Sequence, residues 1–302
     1  MSQLCKNNDE YTIREWTDVW FSEYAPYHIR ESTLITYQYI RKRVLKMNLK
    51  IEDILLQDLK GLEFQRLLND LVCVGHYSKS SVKQVKNLYS KIYKYAVLNE
   101  VCISNPIQMT EVLPYAPEKK VSALSKENQA TVENIYSQLE FWRSSIIFFL
   151  LKTGIRREEL VELTWNDWDK KQKIIYVRKS KTDKGIRIIP LSAKANLILH
   201  HNYFLNKNKS PYIFCNPKGK KLSNGQIRYT FKKAKELSQL SCAFTPHIMR
   251  HTFATRFLES GADIKALSDI LGHTSPAFTM SRYVTPDISY LQNQIAYAFR
   301  NE

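Results

Sequence analysis

The stretch "HIMRH", residues 247 to 251, sets His247, Arg250 and His251 three and four positions apart. On a helix such residues are surface neighbours, so the three groups project toward a single point. Solvent, a carboxylate or a phosphate would each suit two histidines and an arginine there. Three further polar groups stand out: "TGIRREEL" places Arg156 where a turn enters a helix, "ILGHTS" places His273 just after a helix-ending glycine, and "MSRYVTP" places Tyr283 near the end of the next helix. The arginine fork matches carboxylate and phosphate geometry. Tyrosine, with an ordinary pKa of about 10, attacks only when a base or strong cations assist it. Met249, Phe253 and Phe257 recur every four residues and predict a core-facing side for the same helix. If that is all the pattern encodes, His247, Arg250 and His251 are merely its half-solvated flank.

Positioning these groups requires elements that the patterns predict in order. From Tyr11 to about Asn105 the periodicity is helical in "TIREWTDVWFSEYA", "STLITYQYIRKRVLKM" and "SSVKQVKNLYSKIYKYAVLNE", with Ser32 and Ser80 or Ser81 as caps. "SNPIQMTEVLPYAPEKKVSALS", 104 to 125, holds three prolines without a sustained period and reads as a linker. The chain then divides into domains 1–115 and 116–302. In the second, helices at 126–139 and 141–152 precede a hairpin of "KIIYVR" (173–178) and "IRIIPL" (186–191) around the turn "KSKTDKG". Helix-like "AKANLILHHNYFL", a short strand "YIFCN" and helix-like "NGQIRYTFKKAKEL" follow. The remainder reads as helices at 247–259, 263–271, 276–283 and 287–299, with Gly261 and Gly272 at helix ends and Ser275-Pro276 at a helix start.

The net charge is +16, and it is uneven: 15 basic and 13 acidic residues lie in 1–115, against 30 and 16 in 116–302. Such a field attracts polyanions, nucleic acid foremost. On the helix beginning near Ser80, Val82, Val85, Tyr89, Ile92 and Ala96 fall on one side and Lys79, Lys83, Lys86, Lys91 and Lys94 on the other. That lysine face is either solvated or a phosphate-tracking surface. The five cysteines are scattered and never spaced C-x-x-C, which argues for reduced thiols and against a zinc site. "SSIIFFLL" is too short to span a bilayer, and the N-terminus lacks a signal core, so a cytoplasmic protein is expected.

"TGIRREEL", "SKTDKGIRIIPL", "HIMRHTFATRFLESGADIKALSDILGH" and "RY", in this order, resemble the tyrosine recombinases, also called the phage integrase family. The resemblance covers about residues 10 to 300. It implies a mainly α fold with a small antiparallel β-sheet: a helical, SAM-like core-binding domain and an α/β catalytic domain with a C-terminal exchange helix. By position, Arg156 matches the first catalytic arginine and Glu159 the acid that supports the site. Lys181 matches the hairpin lysine, with Lys179 and Lys184 in the same loop. His247 and Arg250 match the H-x-x-R motif, His273 the third-motif histidine and Tyr283 the nucleophile. His251 is a supporting residue.

The implied activity is site-specific recombination through a 3′-phosphotyrosyl intermediate, with no cofactor and no metal, integrating and excising a mobile element or resolving chromosome dimers. The implied partners are double-stranded DNA at inverted-repeat core sites, a tetramer of the chain on two such sites, and accessory DNA-bending or directionality proteins. The stripe Ile288, Leu291, Ile295 and Ala298 either packs on the chain's own core or, as the resemblance implies, docks into a neighbouring protomer. An early start to the core-binding pattern, near residue 11, leaves no room for an extra arm-type domain and matches simple-site members. A helix-turn-helix regulator would explain "IKALSDILGHTSPAFTMSRYV" but leaves Arg156 and Lys181 without a shared role. A binding-only recombinase conflicts with the intact residue set, and a type IB topoisomerase with the two-domain layout.

Overall fold

The computed structural model describes residues 11–47, 50–114, 122–178, 185–273 and 275–283, with the side chains of 278 and 281–283 outside that description. Two compact units divide the chain, Met1–Lys120 and Val121–Glu302. The predicted domain boundary at 115/116 falls at residues outside the description.

The first unit is helical. Thr12 caps α1 (Ile13–Val19) in a reciprocal box, its hydroxyl accepting from Glu15 N while Glu15 accepts from Thr12 N. The helix runs on through a π-turn, Trp20–Tyr24, into α2 (Ala25–His28), and α3 follows (Glu31–Lys46). A 3-10 turn, Lys50–Asp53, leads to α4 (Gly61–Cys73) and α5 (Lys79–Leu98). Their apolar faces bury Trp20, Phe64, Leu68, Leu88, Ile92 and Tyr93 in one core. Each such side chain contributes about 1.5–3 kcal/mol by leaving water. Glu52 is fully buried in this unit, and its carboxylate accepts from Arg41 and from the Tyr89 hydroxyl at 2.5 Å. A buried carboxylate persists only with such partners.

Two expectations for this unit need correction. The caps are Arg30 before α3 and Ser78 before α5, not Ser32 and Ser80 or Ser81. A capping residue has extended backbone, which Ser78 has at ψ 153, whereas Ser80 and Ser81 already lie within the helix. The first half of the expected linker is part of the unit: Asn105 caps a 3-10 turn (Pro106–Met109), and Gln65 exchanges two 2.8 Å hydrogen bonds with the Glu111 backbone. Polar side chains satisfy this segment without any periodic apolar pattern.

In the second unit Ser125 caps α6 (Lys126–Asn134), and α7 (Phe141–Thr153) follows a 3-10 turn at Tyr136–Gln138. Residues 144–151 of α7 are buried all round, as a helix apolar on every side must be. Gly154 ends α7 at φ +62, and Arg156 opens α8 (Arg157–Leu160). The sheet has three antiparallel strands: β1 (Trp168–Asp169), β2 (Ile174–Val177) and β3 (Arg187–Pro190), with Ile175 opposite both Trp168 and Ile189. The expected hairpin is therefore joined by a short third strand.

Beyond the sheet come α9 (Ala193–Asn206), α10 (Asn224–Leu237), α11 (Pro246–Glu259), α12 (Ile264–Leu271) and α13 (Pro276–Tyr283). α7 packs against α9 and α11. The expected strand "YIFCN" does not form: Tyr212 pairs with Thr164 and Cys215 with Lys221 as isolated bridges. Different partners at its two ends prevent a continuous ladder. The predicted exchange helix at 287–299, with Ile288, Leu291, Ile295 and Ala298, lies outside the described residues.

Candidate active site

Three segment ends of the second unit build the site: the turn from α7 into α8, the start of α11, and the end of α12. At the first, the left-handed Gly154 turns the chain so that Arg156 occupies the cap position of α8 in extended backbone. Only glycine fits, because a Cβ on Gly154 would stand 2.4 Å from Phe253 Cδ1 and 2.9 Å from Leu271 Cδ2. Arg156 Nη1 donates to Glu159 Oε1 at 2.8 Å and Nη2 to the Gly272 carbonyl at 3.0 Å, while Arg156 N donates to Glu159 Oε2. The Arg156 side chain keeps 34% of its surface exposed, enough to meet a ligand.

α11 begins at Thr245, whose hydroxyl accepts from Ile248 N, with Pro246 in the first helical position. That start leaves His247 exposed, Arg250 buried and His251 half-buried. Arg250 Nη1 donates to the Gly154 carbonyl at 2.8 Å, and Nη2 reaches the Leu271 carbonyl at 2.7 Å and His273 Nε2 at 2.9 Å. His251 Nδ1 is 3.4 Å from Thr255 Oγ1. Gly272, left-handed at φ 64, ends α12 and turns His273 back toward Arg250.

A guanidinium only donates, so His273 Nε2 accepts from Arg250 and Nδ1 carries the proton that reaches Thr279 Oγ1 at 2.8 Å. In this tautomer His273 offers no Nε2 proton to a phosphate. Donation to a non-bridging oxygen requires a second proton on the ring.

Arg156, His247, Arg250, His251 and His273 line one cavity of about 420 Å³, with Thr245 at its edge. Glu159 lies beneath them, 5% exposed. Burial alone would raise its carboxyl pKa, but the hydrogen bonds and charge of Arg187, and then the backbone and side-chain hydrogen bonds from Arg156, hold it below the ordinary carboxylate value. Lys181, Lys179 and Lys184 fall outside the described residues. Tyr283 closes α13, with its side chain outside the description.

Sequence reasoning missed two residues here. Arg187 on β3 donates to both Glu159 oxygens, at 3.0 and 2.8 Å, and a charge inside the apolar run "IRIIPL" was its signal. Thr279, which accepts from His273 Nδ1 and so fixes the ring's orientation, carries no comparable mark.

The lysine face of α5 in the first unit is not uniform. Lys83, Lys91 and Lys94 are exposed, the Lys91 ammonium lying 5.4 Å from the Tyr37 ring centroid. Lys79 and Lys86 are half-buried and donate to the carbonyls of Pro114 and Thr110. Nearby, the Arg43 guanidinium sits over the rings of Tyr77 at 4.5 Å and Tyr39 at 5.4 Å.

The cavity is lined by three arginines, Arg157 among them paired with Glu158, and by three histidines, groups whose chemistry suits an oxyanion such as phosphate. Residues 118–289 match the model of the phage integrase family, and the chain belongs to that family of tyrosine recombinases, which are site-specific DNA recombinase enzymes. The protein named tyrosine recombinase XerC-like from Caldanaerobacter subterraneus subsp. tengcongensis is 24% identical over 313 residues, 91% of this chain and 79% of that one. The fold is shared with the Tn1549 transposon integrase in complex with a circular intermediate DNA, at TM-score 0.77 and 18% identity over 95% of this chain and 99% of that one. It is shared also with a lambda integrase tetramer bound to a Holliday junction, at TM-score 0.76 and 22% identity over 92% of this chain and 79% of that one.

Proposed function

We propose that this enzyme cleaves and rejoins DNA at specific inverted-repeat core sites through a 3′-phosphotyrosyl intermediate, and that it integrates and excises a mobile genetic element. The observation that carries the chemistry is the convergence of Arg156 and Arg250, from distant parts of the chain, on one cavity and on adjacent carbonyls of one turn, Gly272 and Leu271. Preorganised cations are the main aid that phosphoryl transfer takes from a protein. Residues 1–115 act as the helical core-binding domain and 116–302 as the catalytic domain.

In the forward step the Tyr283 oxygen attacks the phosphorus, the bond to the 5′ oxygen breaks, and Arg156 and Arg250 bind the phosphoryl oxygens. His247, exposed at the cavity, takes the tyrosine proton and returns it in the reverse step. Lys181 protonates the departing 5′ oxygen. His273, oriented by Thr279, assists at a non-bridging oxygen, while Glu159 and His251 support the site. The phosphotyrosyl bond keeps the energy of the broken diester, so a 5′ hydroxyl of a second strand resolves it without a nucleotide cofactor. Lys79, Lys83, Lys86, Lys91 and Lys94 belong to the DNA-facing side of α5, with Lys83 and Lys94 the most available for phosphates. A tetramer on two sites, acting in the cytoplasm with accessory DNA-bending or directionality proteins, completes the reading.

The mobile-element role is supported by likeness to the Tn1549 transposon integrase. The relative named XerC-like supports a second reading, resolution of chromosome dimers. Covalent trapping tests the chemistry: nicked duplexes from the ends of the encoding element are incubated with wild type and with Tyr283→Phe, and adducts are resolved on denaturing gels. An adduct formed by wild type and absent from Tyr283→Phe is expected; binding without any adduct would refute the strand-transfer chemistry. Amplification across the circularised element, present with the gene and lost on its deletion, separates the two roles.

A further inference from the structure

Arg187 is a buried charge that none of the roles above uses. It stands on β3 opposite Val177, with 6% of its side chain exposed. Four of its contacts are short: Nη1 and Nη2 to the two oxygens of Glu159 at 3.0 and 2.8 Å, Nη1 to the Gly185 carbonyl at 2.8 Å, and Nε to the Ile270 carbonyl at 2.6 Å. The last contact places it at the same turn that holds the other two arginines. Ile270, Leu271 and Gly272 offer three successive carbonyls, and these accept in order from Arg187, Arg250 and Arg156. The carbonyls ending a helix have no intrahelical donors and carry its negative pole, so cations suit them.

Glu159 is where this arrangement meets the chemistry. A carboxylate facing Arg156 alone would draw it into a two-armed pair and cancel its charge. Arg187 occupies both Glu159 oxygens, so Arg156 spends only Nη1 on Oε1 and Nη2 on Gly272. The rest of its five donors remain for a phosphate. Two guanidinium groups around one carboxylate also leave a net positive charge beside the cavity.

We infer that Arg187 is a positioning residue for strand transfer: by clamping Glu159 and the Ile270 carbonyl, it fixes the Arg156 fork toward the scissile phosphate. The inference rests on the reading that Arg156 grips that phosphate. Without Arg187, Glu159 is a buried carboxylate with one arginine left, and desolvation pushes its pKa upward. Cleavage then acquires an acid dependence steeper than the one wild type already has through its base, His247.

The test compares Arg187→Gln, Arg187→Lys, Glu159→Gln and the double variant Glu159→Gln/Arg187→Gln. Single-turnover cleavage of a nicked duplex at saturating protein is followed from pH 5 to 9, and DNA affinity is measured by anisotropy. Arg187→Gln is expected to cleave about 100-fold more slowly, the cost of misplacing a reacting group by about 1 Å, with affinity within about twofold of wild type. Its rate falls further toward pH 5. Arg187→Lys recovers part of the rate, keeping the charge without the fork. The double variant is no slower than the slower single variant and shows only the acid dependence of wild type, because both residues act through one link. Should Arg187→Gln not fold, the double variant, which removes both charges of the pair, decides on its own: a rate equal to wild type overturns the inference. So does a wild-type rate in Arg187→Gln, a loss confined to affinity, or a double defect equal to the product of the singles. Arg156→Lys and Tyr283→Phe run alongside. If Arg156→Lys cleaves like wild type, or Tyr283→Phe still forms the adduct, the underlying reading fails and takes this inference with it, whatever Arg187→Gln does.

Discussion

Replacing Gly154 by alanine tests whether the turn after α7 is built for the site. At φ +62 an L-residue pays about 1–2 kcal/mol for the left-handed conformation. The new methyl would stand 2.4 Å from Phe253 Cδ1 and 2.9 Å from Leu271 Cδ2, so both side chains must move. Overpacking of that kind costs about 1–3 kcal/mol. Against these, alanine restricts the unfolded chain and recovers about 0.4–1 kcal/mol. The net loss is about 1–5 kcal/mol. The displaced peptide also carries the Gly154 carbonyl, which accepts from Arg250 at 2.8 Å. Gly154→Ala should therefore cleave more slowly even where it is fully folded. Urea unfolding measures the stability, with amide exchange along α7 assigning the transition of the second unit. Gly225→Ala serves as the contrast: it lies in α10 with only Ser223 Oγ within reach at 3.8 Å, and should stabilise by about 0.5–1 kcal/mol. A Gly154→Ala loss below about 1 kcal/mol, or unchanged cleavage in folded protein, would refute the argument.

Glu159 predicts a pH dependence. Its folded pKa is depressed below the ordinary 4.5, so its stabilising contribution is complete above that value and is lost as pH falls from there through the folded pKa. Unfolding curves from pH 6 to 3 should steepen below about pH 4.5 in wild type and flatten in Glu159→Gln; equal slopes would show that the arginines do not hold the carboxylate. For DNA binding, Lys83→Gln/Lys94→Gln should lower the slope of log affinity against log salt by about 1.8 without changing cleavage at saturation. An unchanged slope would place phosphate contact elsewhere than on α5.

The helices were legible because burying one face imposes a period, and α7, α10 and α11 follow their predicted spans closely. The residues around the cavity were legible for a different reason: arginine and histidine are costly near buried positions, so Arg156, Arg250 and His273 stood out against apolar neighbours. Ser78 did not, because a cap is chosen by where the chain is extended, and three serines in "SKSS" satisfy the same pattern. Residues 105–114 looked like linker because side-chain amides and caps, not an apolar period, bind them to the first unit.

What sequence hides most effectively is the acceptor side of the site. Arg156, Arg187 and Arg250 end on the main-chain carbonyls of Gly272, Ile270, Leu271 and Gly154, and every residue type has a carbonyl. The readable trace is conformational. Two of those four acceptors belong to glycines with φ of +62 and +64, a geometry that turns the chain sharply at a helix end and presents carbonyls that a straight helix would have used internally. "TG" before Arg156 and "LG" before His273 are thus the acceptor half of the same pattern whose donor half is the arginines. Both glycines end helices one or two residues before a site residue, so the shape of each turn and the placing of its charge are a single requirement.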